Sequence, residues 1–415
     1  MCELGVWSKC DRGWDGTVLG CCMLDRVSQR GKRSSPTGES ILLIANYESN
    51  VGYAWWLMEN FWLKLAELFK ERGGRAFLAY PKINEIPEKI RDSSITVLAH
   101  DFEMHSWHSL MSLKGIIKEN NIAHVYLTDK KQYSLGYALL RSWGIKTIVN
   151  HDHSPRAAEG RSPLRQLLKR LIHKAGVISC DHYIGVSKFV RDRLVSYGGI
   201  SPGKVSVVLN GIEPIEIDAG KRYYAHDNLG IPKDALVVVS TGRATTYKRV
   251  DALIECARRL FEGGDAKIYF LHCGDGPELA HFKRMVEVYG FGHRFIFAGR
   301  RNDIRQILPS CDIGIQISRG EAFSLSLLEY LSAGLATLAS DVGGNPEAIV
   351  DGKTGILFAS DDLDSVVRKI RELAANEFYR KQLGEAARES VRTNFNIARM
   401  NQDFIALYKD ILMNN

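Results

Sequence analysis

The sequence predicts an α/β protein of two domains, each with a parallel sheet that carries helices on both faces. Two observations lead to this prediction. From Ile41 onward, short apolar runs typical of buried strands alternate with helical stretches, and regular β-α-β-α alternation implies parallel strands. A polar, proline-containing stretch over residues 210–234 interrupts the alternation, and a second strand-helix series begins at Ala235. We therefore expect two doubly wound domains joined by a linker.

The composition is that of a soluble globular protein. The chain has 415 residues, 45% of them hydrophobic and 25% charged, which suffices for two or three domains with sizeable cores. No stretch reaches the roughly 18 apolar residues of a membrane span, and the N-terminus lacks a signal-peptide pattern, so we expect a cytoplasmic location. The net charge of +7 indicates an anionic partner, either a nucleotide or an acidic lipid surface rather than nucleic acid.

Residues 1–39 lack sustained periodicity and end in a run rich in Gly, Ser, Arg and Pro, which predicts a flexible leader. Met23 is an alternative start of the protein. The cysteines of this segment (Cys2, Cys10, Cys21 and Cys22) show no paired C-x-x-C pattern, and we interpret them as incidental. The cysteines farther along (Cys180, Cys256, Cys273 and Cys311) are scattered singly and are expected to be buried free thiols.

Residues 40–212 are predicted to form the N-terminal domain. Its first strand, I-L-L-I-A-N-Y from Ile41, is followed by Gly52 and a long helix over residues 55–72. Gly52 stands where a backbone could approach a ligand closely, or where it only permits a tight turn. A later strand over residues 147–150 leads into His151-Asp152-His153, at the carboxyl end where ligands of parallel sheets bind. A metal site would need a third ligand, which the sequence does not locate; satisfied loop histidines are the other alternative.

Residues 156–176 combine basic and apolar positions. On a helix they give a basic face (Arg156, Arg161, Arg165, Lys169, Arg170 and Lys174) beside an apolar face (Leu164, Leu167, Leu168, Leu171 and Ile172). Such a helix suits an anionic membrane surface. The alternative is a surface helix whose apolar stripe packs on its own domain. A second lipid-facing patch is offered by Trp55, Trp56, Phe61 and Trp62, for which a place in the core is the alternative.

Residues 213–392 are predicted to form the C-terminal domain. Its first strand ends at Gly242 and Arg243, and Lys248 precedes the next helix. Two cations that bracket a loop at a strand's carboxyl end suit a diphosphate leaving group, because its developing negative charge must be stabilised in place. Arg249 is an alternative to Lys248, and solvated loop cations are the alternative to the whole set.

Gly274 and Gly276 form a turn after the next strand. Leu279 occupies the place of the third glycine of a dinucleotide fingerprint, so a turn that lines a nucleotide pocket fits better. Asp362-Leu363-Asp364 matches the metal-binding D-x-D pattern superficially. It opens a predicted helix, so N-terminal capping explains it better.

Residues 319–334, R-G-E-A-F-S-L-S-L-L-E-Y-L-S-A-G, are the most informative stretch. An apolar strand leads into a Gly-Glu turn and then a helix that Ser324 can cap. The unpaired amides of Phe323, Ser324 and Leu325 at the helix N-terminus are well placed for a phosphate. Glu321 and Glu329 would lie roughly 10 Å apart at about 1.5 Å per helical residue. That is far for the two carboxylates of a retaining glycosidase, which need about 5 Å, but it suits gripping the hydroxyls of two different sugars.

The E-x7-E motif in this stretch resembles the donor site of the retaining GT-B glycosyltransferases of family 4. The segments V-S-K-F-V-R-D-R-L from Val186 and V-G-G-N-P-E from Val342 resemble the same family, and the resemblance covers about residues 41–413. It implies a GT-B fold, in which two Rossmann-like domains face a cleft. The first domain would then bind the acceptor and the second a nucleotide-sugar donor, with the last helix, residues 393–415, returning to the first domain.

The resemblance also implies roles for single residues. Catalytic roles fall to Arg243 and Lys248 on the diphosphate, to Glu321 on the sugar hydroxyls, and to His151 or His153 near the donor sugar. Donor-binding roles fall to Glu329 on the ribose, to the amides of Phe323, Ser324 and Leu325, and to the glycines Gly52, Gly242, Gly274 and Gly276.

We accordingly expect a retaining glycosyltransferase that acts in cell-surface polysaccharide or glycolipid synthesis. A nucleotide-diphosphate sugar would be its co-substrate, a glycan or lipid-linked molecule its acceptor, and an anionic membrane surface a further partner through residues 156–176. No metal is expected to be required, since fixed cations and helix amides take its place. The alternatives are a non-catalytic sugar-binding subunit, or an epimerase or phosphorylase of the same fold.

Overall fold

The computed structural model describes residues 37–49, 55–100, 102, 107–155 and 163–414. Its first sheet is parallel, with the strand order β3-β2-β1-β4-β5-β6-β7. The strands are β1 (Ser40–Ile44), β2 (Ala76–Tyr80), β3 (Thr96–Ala99), β4 (Ile122–Thr128), β5 (Thr147–Asp152), β6 (His182–Gly185) and β7 (Val205–Val207). The helices between them are α1 (Trp55–Glu71), α2 (Glu88–Arg91), α3 (Trp107–Glu119), α4 (Leu135–Ser142), α5 (Pro163–Ala175) and α6 (Lys188–Ser196).

The second sheet is also parallel and has the order β10-β9-β8-β11-β12-β13. Its strands are β8 (Leu236–Thr241), β9 (Ile268–Cys273), β10 (Phe295–Gly299), β11 (Ile313–Gln316), β12 (Ala336–Ser340) and β13 (Ile356–Phe358). Its helices are α7 (Tyr224–Leu229), α8 (Val250–Glu262), α9 (Leu279–Val288), α10 (Ile304–Ile307), α11 (Leu325–Ser332), α12 (Asn345–Ala348), α13 (Leu363–Ala375) and α14 (Glu377–Asn394). The predicted class, two parallel doubly wound sheets, is confirmed.

Strand order fixes where each sheet can bind a ligand. In the first sheet the order reverses between β1 and β4, and in the second between β8 and β11. A crevice opens at such a switch point, at the carboxyl ends of the strands. The turn that contains Glu321 follows β11, and the loop that contains Lys248 follows β8, so the second switch point brings these two predicted site residues to one place.

The chain crosses between the sheets twice, and the two crossings run side by side. Ile212 N–H donates to Phe395 O at 2.9 Å, and Ile397 N–H donates to Ile212 O at 3.0 Å. A methyl group at Gly211 would lie 2.4 Å from Asn396 O, so a glycine is needed for this approach. After the second crossing, α15 (Ile397–Met413) packs against α1. We call the first sheet with α1–α6 and α15 the N-terminal unit, and the second sheet with α7–α14 the C-terminal unit.

The aromatic cluster of α1 belongs to the core. Phe61 and Trp62 are fully buried and pack with residues of β1 and α15, and the Trp55 ring lies edge-on to Trp62, with centroids 5.3 Å apart. The prediction of a lipid-facing patch is wrong for Phe61 and Trp62, which face the sheet, while Trp55 and Trp56 are partly buried and pack against the same core.

Two smaller predictions are confirmed. The Asp362 side chain accepts the Ser365 N–H and caps α13, as a helix N-terminus favours. Cys180, Cys256 and Cys273 are buried free thiols, while Cys311 is partly buried. None of the helices in the described ranges is long and apolar enough to cross a bilayer.

Candidate active site

Glu321 and Glu329 lie on the strand-turn-helix unit formed by β11 and α11. Ser324 caps α11, since its Oγ accepts the Leu327 N–H at 3.3 Å, and the predicted N-cap is confirmed. Both glutamates are only 6% exposed. Buried carboxylates need hydrogen-bond donors or cations, so their surroundings indicate what the site can bind.

The backbone N–H groups of residues 322–325 are free for a ligand. Within the described ranges none of them donates a hydrogen bond. They lie at the N-terminus of α11, where the partial positive charge of the helix favours an anion. The side chains of Phe323 and Leu325 pack into the core, the Phe323 ring lying 5.7 Å from that of Phe395. These two predicted site residues can therefore offer a ligand only their backbone.

Lys248 and Glu321 form an ion pair, with 2.6 Å between Nζ and Oε1. A short 3-10 turn capped by Thr245 carries the lysine. Arg249 points elsewhere and bonds Asp361 at 2.6 Å, so the structure favours Lys248 over Arg249 as the cation beside Glu321.

Arg243 is exposed beyond β8, and its guanidinium has no hydrogen-bond or ion-pair partner in the described part of the chain.

Two tyrosines that sequence reasoning missed hold this corner together. Tyr330 Oη on α11 bonds Thr241 Oγ1 at the end of β8, at 2.9 Å. Tyr247 O accepts the Arg319 N–H at 3.1 Å. Burial, together with the nearby Glu321 carboxylate, raises the pKa of Tyr247, so its hydroxyl keeps its proton near neutral pH. In the sequence, the only signal for these two tyrosines is that they directly adjoin Lys248 and Glu329.

Gly274 and Gly276 have a packing role, whereas Gly242 has a positive φ of 142° and open space where a methyl group would lie. A methyl group at Gly274 would lie 1.7 Å from Gly242 O, and one at Gly276 would lie 2.5 Å from Ala244 O. The loops after β8 and β9 thus touch backbone to backbone, which requires glycine. Contact of these glycines with a ligand stays a prediction. Gly52 lies outside the described residues.

His151 and His153 differ in accessibility. His151 is fully buried, bonds Tyr126 Oη through Nδ1 at 2.6 Å, and stacks on Phe404 of α15. Burial lowers its pKa well below the ordinary value, and the neighbouring His153 adds to the effect, so His151 stays neutral. The His153 ring lies 4.1 Å from the His151 ring, and within the described residues neither of its nitrogens has a hydrogen-bond partner. The Asp129 carboxylate, at 3.6 Å, is beyond hydrogen-bond distance.

The loop that carries His153 is held beside the Glu321 turn. Asp152 pairs with Arg193 of α6 at 2.8 Å, and both side chains are largely buried. A methyl group at Gly320 would lie 3.5 Å from Pro155 O and 2.7 Å from Tyr247 Oη. The histidine loop of the N-terminal unit and the glutamate turn of the C-terminal unit therefore face each other. Among the described residues, no cluster of three His, Cys, Asp or Glu side chains could hold a metal ion.

A cavity of about 950 Å³ lies between the two units and has Glu329 in its wall. This volume is in the range of ligand pockets. The C-terminal unit contributes Arg300 and Arg301, beyond β10, to which the sequence pattern assigned no role. The wall facing them includes Trp55, Trp56, Glu59, Glu85 and Lys89 of the N-terminal unit, together with linker residues such as Glu213.

Gly343 and Gly344 support the glutamate turn from behind. Gly344 N–H donates to Glu321 O at 3.0 Å. A methyl group at Gly343 would lie 1.9 Å from Glu321 O, and one at Gly344 would lie 2.1 Å from Ala322 O. The loop after β12 is therefore in backbone contact with the turn that carries Glu321.

Two family models match the chain. One, described as "Glycosyltransferase Family 4", covers residues 58–215, and the other, "Glycosyl transferases group 1", covers residues 224–390. The two matched ranges together span most of the chain.

Curated relatives and solved structures agree with these matches. N-acetyl-alpha-D-glucosaminyl L-malate synthase of Bacillus anthracis is 28% identical over 44% of this chain, and the alignment spans about half, 48%, of that relative. N,N'-diacetylbacillosaminyl-diphospho-undecaprenol alpha-1,3-N-acetylgalactosaminyltransferase of Campylobacter jejuni is 24% identical over 86% of this chain and 96% of its own length. A solved Anabaena protein in complex with UDP and glucose has a TM-score of 0.73 at 16% identity, covering 90% of this chain and 100% of that one. This likeness shows the fold.

Substitution of Gly343 tests the backbone contact with Glu321. Gly343 and Gly352 both have positive φ, 60° and 71°, but a methyl group at Gly352 would meet nothing within 4 Å. Gly352→Ala should cost only the left-handed strain of about 1–2 kcal/mol. Gly343→Ala should lower the thermal unfolding midpoint clearly further, because the turn must also move. Equal shifts in the two variants would show that the contact does not constrain the turn.

Proposed function

Since this chain belongs to the GT-B glycosyltransferases of family 4, we propose that it transfers a sugar from a nucleotide-diphosphate sugar to a glycan or lipid-linked acceptor, with retention of the anomeric configuration. One observation carries the proposal. The amides of residues 322–325, which have no partner in the part of the chain that the structure describes, lie beside the Lys248–Glu321 ion pair and at the start of the helix that carries Glu329. A nucleotide-diphosphate sugar, in which the diphosphate joins the sugar to the ribose, would meet all three features. The UDP and glucose bound by the solved Anabaena protein are consistent with such a ligand.

Each part of the donor has a candidate partner. The amides of residues 322–325, with Lys248 and the exposed Arg243, would hold the diphosphate, because charge-assisted hydrogen bonds to oxyanions are strong. Glu329 in the cavity wall would accept the ribose hydroxyls, and Arg300 and Arg301 beside it would border the base. Glu321 would accept hydroxyls of the transferred sugar.

We assign the histidine role near the donor sugar to His153. His151 is fully buried and is hydrogen-bonded to Tyr126, so it would serve to orient its neighbour. His153 has two ring nitrogens without a protein partner in the described residues, and its loop faces the Glu321 turn. A buried polar group without a partner is costly, and a ligand hydroxyl would supply the missing hydrogen bond.

The proposed reaction proceeds on one face of the sugar. The bond between the anomeric carbon and the diphosphate oxygen breaks, and its electron pair stays on that oxygen, where Lys248, Arg243 and the amides stabilise the charge. The acceptor oxygen attacks the same face, and its proton passes to the leaving phosphate oxygen. No covalent nucleophile is invoked, and no metal is required in this scheme because fixed cations do its electrostatic work.

We propose further that α5 binds an anionic membrane surface, which would keep the enzyme at the inner face of the membrane and near a lipid-linked acceptor. Leu164, Leu167, Leu168 and Leu171, spaced as one face of a helix, are each more than half exposed. Tyr133, which precedes α4, lies 6.0 Å from the His173 ring of α5, and Leu135 at the start of α4 is also exposed. The alternative that the leucine stripe packs on its own domain is therefore not supported.

The positive charge of α5 favours an anionic membrane as the partner of this surface. The sequence of α5, P-L-R-Q-L-L-K-R-L-I-H-K-A, has four Lys and Arg residues and no acidic residue. An apolar face flanked by cations fits anionic lipid headgroups above acyl chains. The Campylobacter relative, whose name specifies an undecaprenol-linked acceptor, supports an acceptor of this kind.

Turnover with a panel of nucleotide-diphosphate sugars tests the proposed activity. Incubation with the correct donor and an acceptor should release nucleoside diphosphate, and nuclear magnetic resonance should show a product with the donor's anomeric configuration. The same rate in excess EDTA is expected, since no step uses a metal. Inverted product would refute the mechanism, and loss of turnover in EDTA with rescue by magnesium would refute the metal-free scheme. Absence of transfer with every donor would contradict the enzyme proposal itself.

Glu329→Ala tests the ribose assignment. Loss of two hydrogen bonds to a charged acceptor, at about 1.5–3 kcal/mol each, should weaken donor binding at least about a hundredfold, measured by calorimetry. Glu372→Ala, at an exposed position of α13, is the matched control and should bind like the parent. Parental affinity in Glu329→Ala would remove Glu329 from the donor site.

Negative charge introduced on the apolar face of α5 tests membrane binding. The parent should co-sediment with vesicles that contain phosphatidylglycerol but not with pure phosphatidylcholine. Leu167→Glu combined with Leu171→Glu should reduce this binding about tenfold or more, through lost burial and added repulsion. Val288→Glu with Phe378→Glu adds the same charge at positions 82% and 78% exposed on the C-terminal unit. This control should bind the vesicles like the parent. If both variants lose vesicle binding equally, the loss arises from the changed net charge of the protein and not from the α5 surface.

A further inference from the structure

The carbonyl groups of three successive residues in the Glu321 turn are each held by a separate donor. Gly344 N–H donates to Glu321 O at 3.0 Å, Ser187 Oγ donates to Ala322 O at 2.7 Å, and Asn210 Nδ2 donates to Phe323 O at 3.0 Å. Ser187 precedes α6 of the N-terminal unit, and Asn210 precedes the first crossing between the units. Two of the three donors to the turn therefore come from outside the C-terminal unit.

These bonds determine where the neighbouring amides point. In a planar trans peptide, the carbonyl of one residue and the N–H of the next point in opposite directions. Each held carbonyl of residues 321–323 therefore fixes the N–H group of the next residue in the direction away from its donor. These N–H groups, of residues 322–324, are among the amides that have no partner within the described residues.

Glu347 of the C-terminal unit forms a further contact with the N-terminal unit. Its two carboxylate oxygens accept the N–H groups of Lys188 and Phe189, each at 2.8 Å, at the start of α6. A carboxylate at a helix N-terminus is favourable because it meets unpaired amides and the positive end of the helix dipole. Glu347 lies three residues after Gly344, so the loop that holds Glu321 O is itself anchored to α6.

We propose that Ser187, Asn210 and Glu347 are positioning residues that hold the diphosphate-binding amides in place from the N-terminal unit. This inference rests on the proposed function, and it makes diphosphate binding depend on how the two units are docked. Movement of α6 away from the turn would break the Ser187 and Glu347 contacts together. The Ala322 carbonyl would then lose its donor, and the loop that holds Glu321 O would lose its anchor. The N–H groups of residues 322 and 323 would no longer be held in place, which favours release of the nucleoside diphosphate.

Asn210→Asp is the sharpest test, because it keeps the size of the side chain and replaces the donating Nδ2 with an oxygen that repels Phe323 O. Calorimetry with UDP, GDP and ADP should identify the diphosphate that the parent binds. The variant should bind that diphosphate at least about tenfold more weakly, since hydrogen bonds to charged groups are lost. Its affinity for the matching nucleoside, measured by ligand-observed nuclear magnetic resonance, should not change, because the turn amides contact only phosphate.

Ser187 supplies a second test with its own rescue. Its Oγ both donates to Ala322 O and accepts the Val190 N–H at 3.1 Å as the cap of α6. Ser187→Ala should weaken diphosphate binding and Ser187→Thr, which retains the hydroxyl, should restore it. Glu347→Gln, with one acceptor in place of two, should give an intermediate loss. In turnover assays these variants should raise KM for the donor more than they lower kcat.

The outcomes separate the two proposals. If the parent binds no nucleoside diphosphate, the proposed function fails and the positioning role fails with it. If the parent binds one and Asn210→Asp and Ser187→Ala bind it equally well, the proposed function stands and the positioning role is wrong. If diphosphate and nucleoside affinities fall in parallel, the residues maintain the fold in general, and the specific role is again wrong.

Discussion

In a buried turn, a peptide N–H can be held toward a ligand only if the carbonyl of the same peptide unit has a hydrogen-bond donor on the other side. Residues 321–323 meet this constraint with three donors from three different segments, Gly344, Ser187 and Asn210. The free amides, the buried Glu321 and the capped start of α11 all depend on it, because an unpaired buried carbonyl would pull the turn into another conformation. The site is therefore a property of the docked pair of units and not of α11 alone.

The same constraint explains the glycines around the site. Loops at the carboxyl ends of neighbouring strands hold one another by backbone contact, so side chains are excluded between them. Gly343 and Gly344 lie against the Glu321 turn, Gly274 and Gly276 against the loop after β8, and Gly211 against the second crossing. These glycines would be needed for packing even in a protein that bound nothing there, so a glycine-rich loop indicates a close backbone approach before it indicates a ligand.

The fold could be predicted because strand and helix periodicity are local properties, and parallel sheets follow from their alternation. Within the site, the sequence predicted the residues that lie in one segment, Glu321, Ser324 and Glu329, and it correctly placed Lys248 near them. It could not choose between His151 and His153, since their difference arises from Tyr126 and Phe404, far away in the chain. Ser187 and Asn210 escaped notice as partners of the turn because their contacts span 135 and 113 positions. The aromatic residues of α1 were ambiguous because a core stripe and a membrane patch have the same composition.

In the proposed mode of donor binding, the Lys248–Glu321 ion pair would distinguish the intact donor from the nucleoside diphosphate. The Glu321 side chain is 8% exposed and that of Lys248 is 29% exposed, so the carboxylate depends on the lysine far more than the reverse. A diphosphate bound at the turn amides, as proposed, would compete for Lys248, and removing one partner of a buried pair costs about 3–5 kcal/mol unless another donor replaces it. A nucleoside diphosphate alone offers Glu321 no replacement, whereas a nucleotide sugar brings hydroxyls that can donate to it. We infer that the pair penalises the product relative to the intact donor, so that the same residues that bind the substrate also favour release of what remains after transfer.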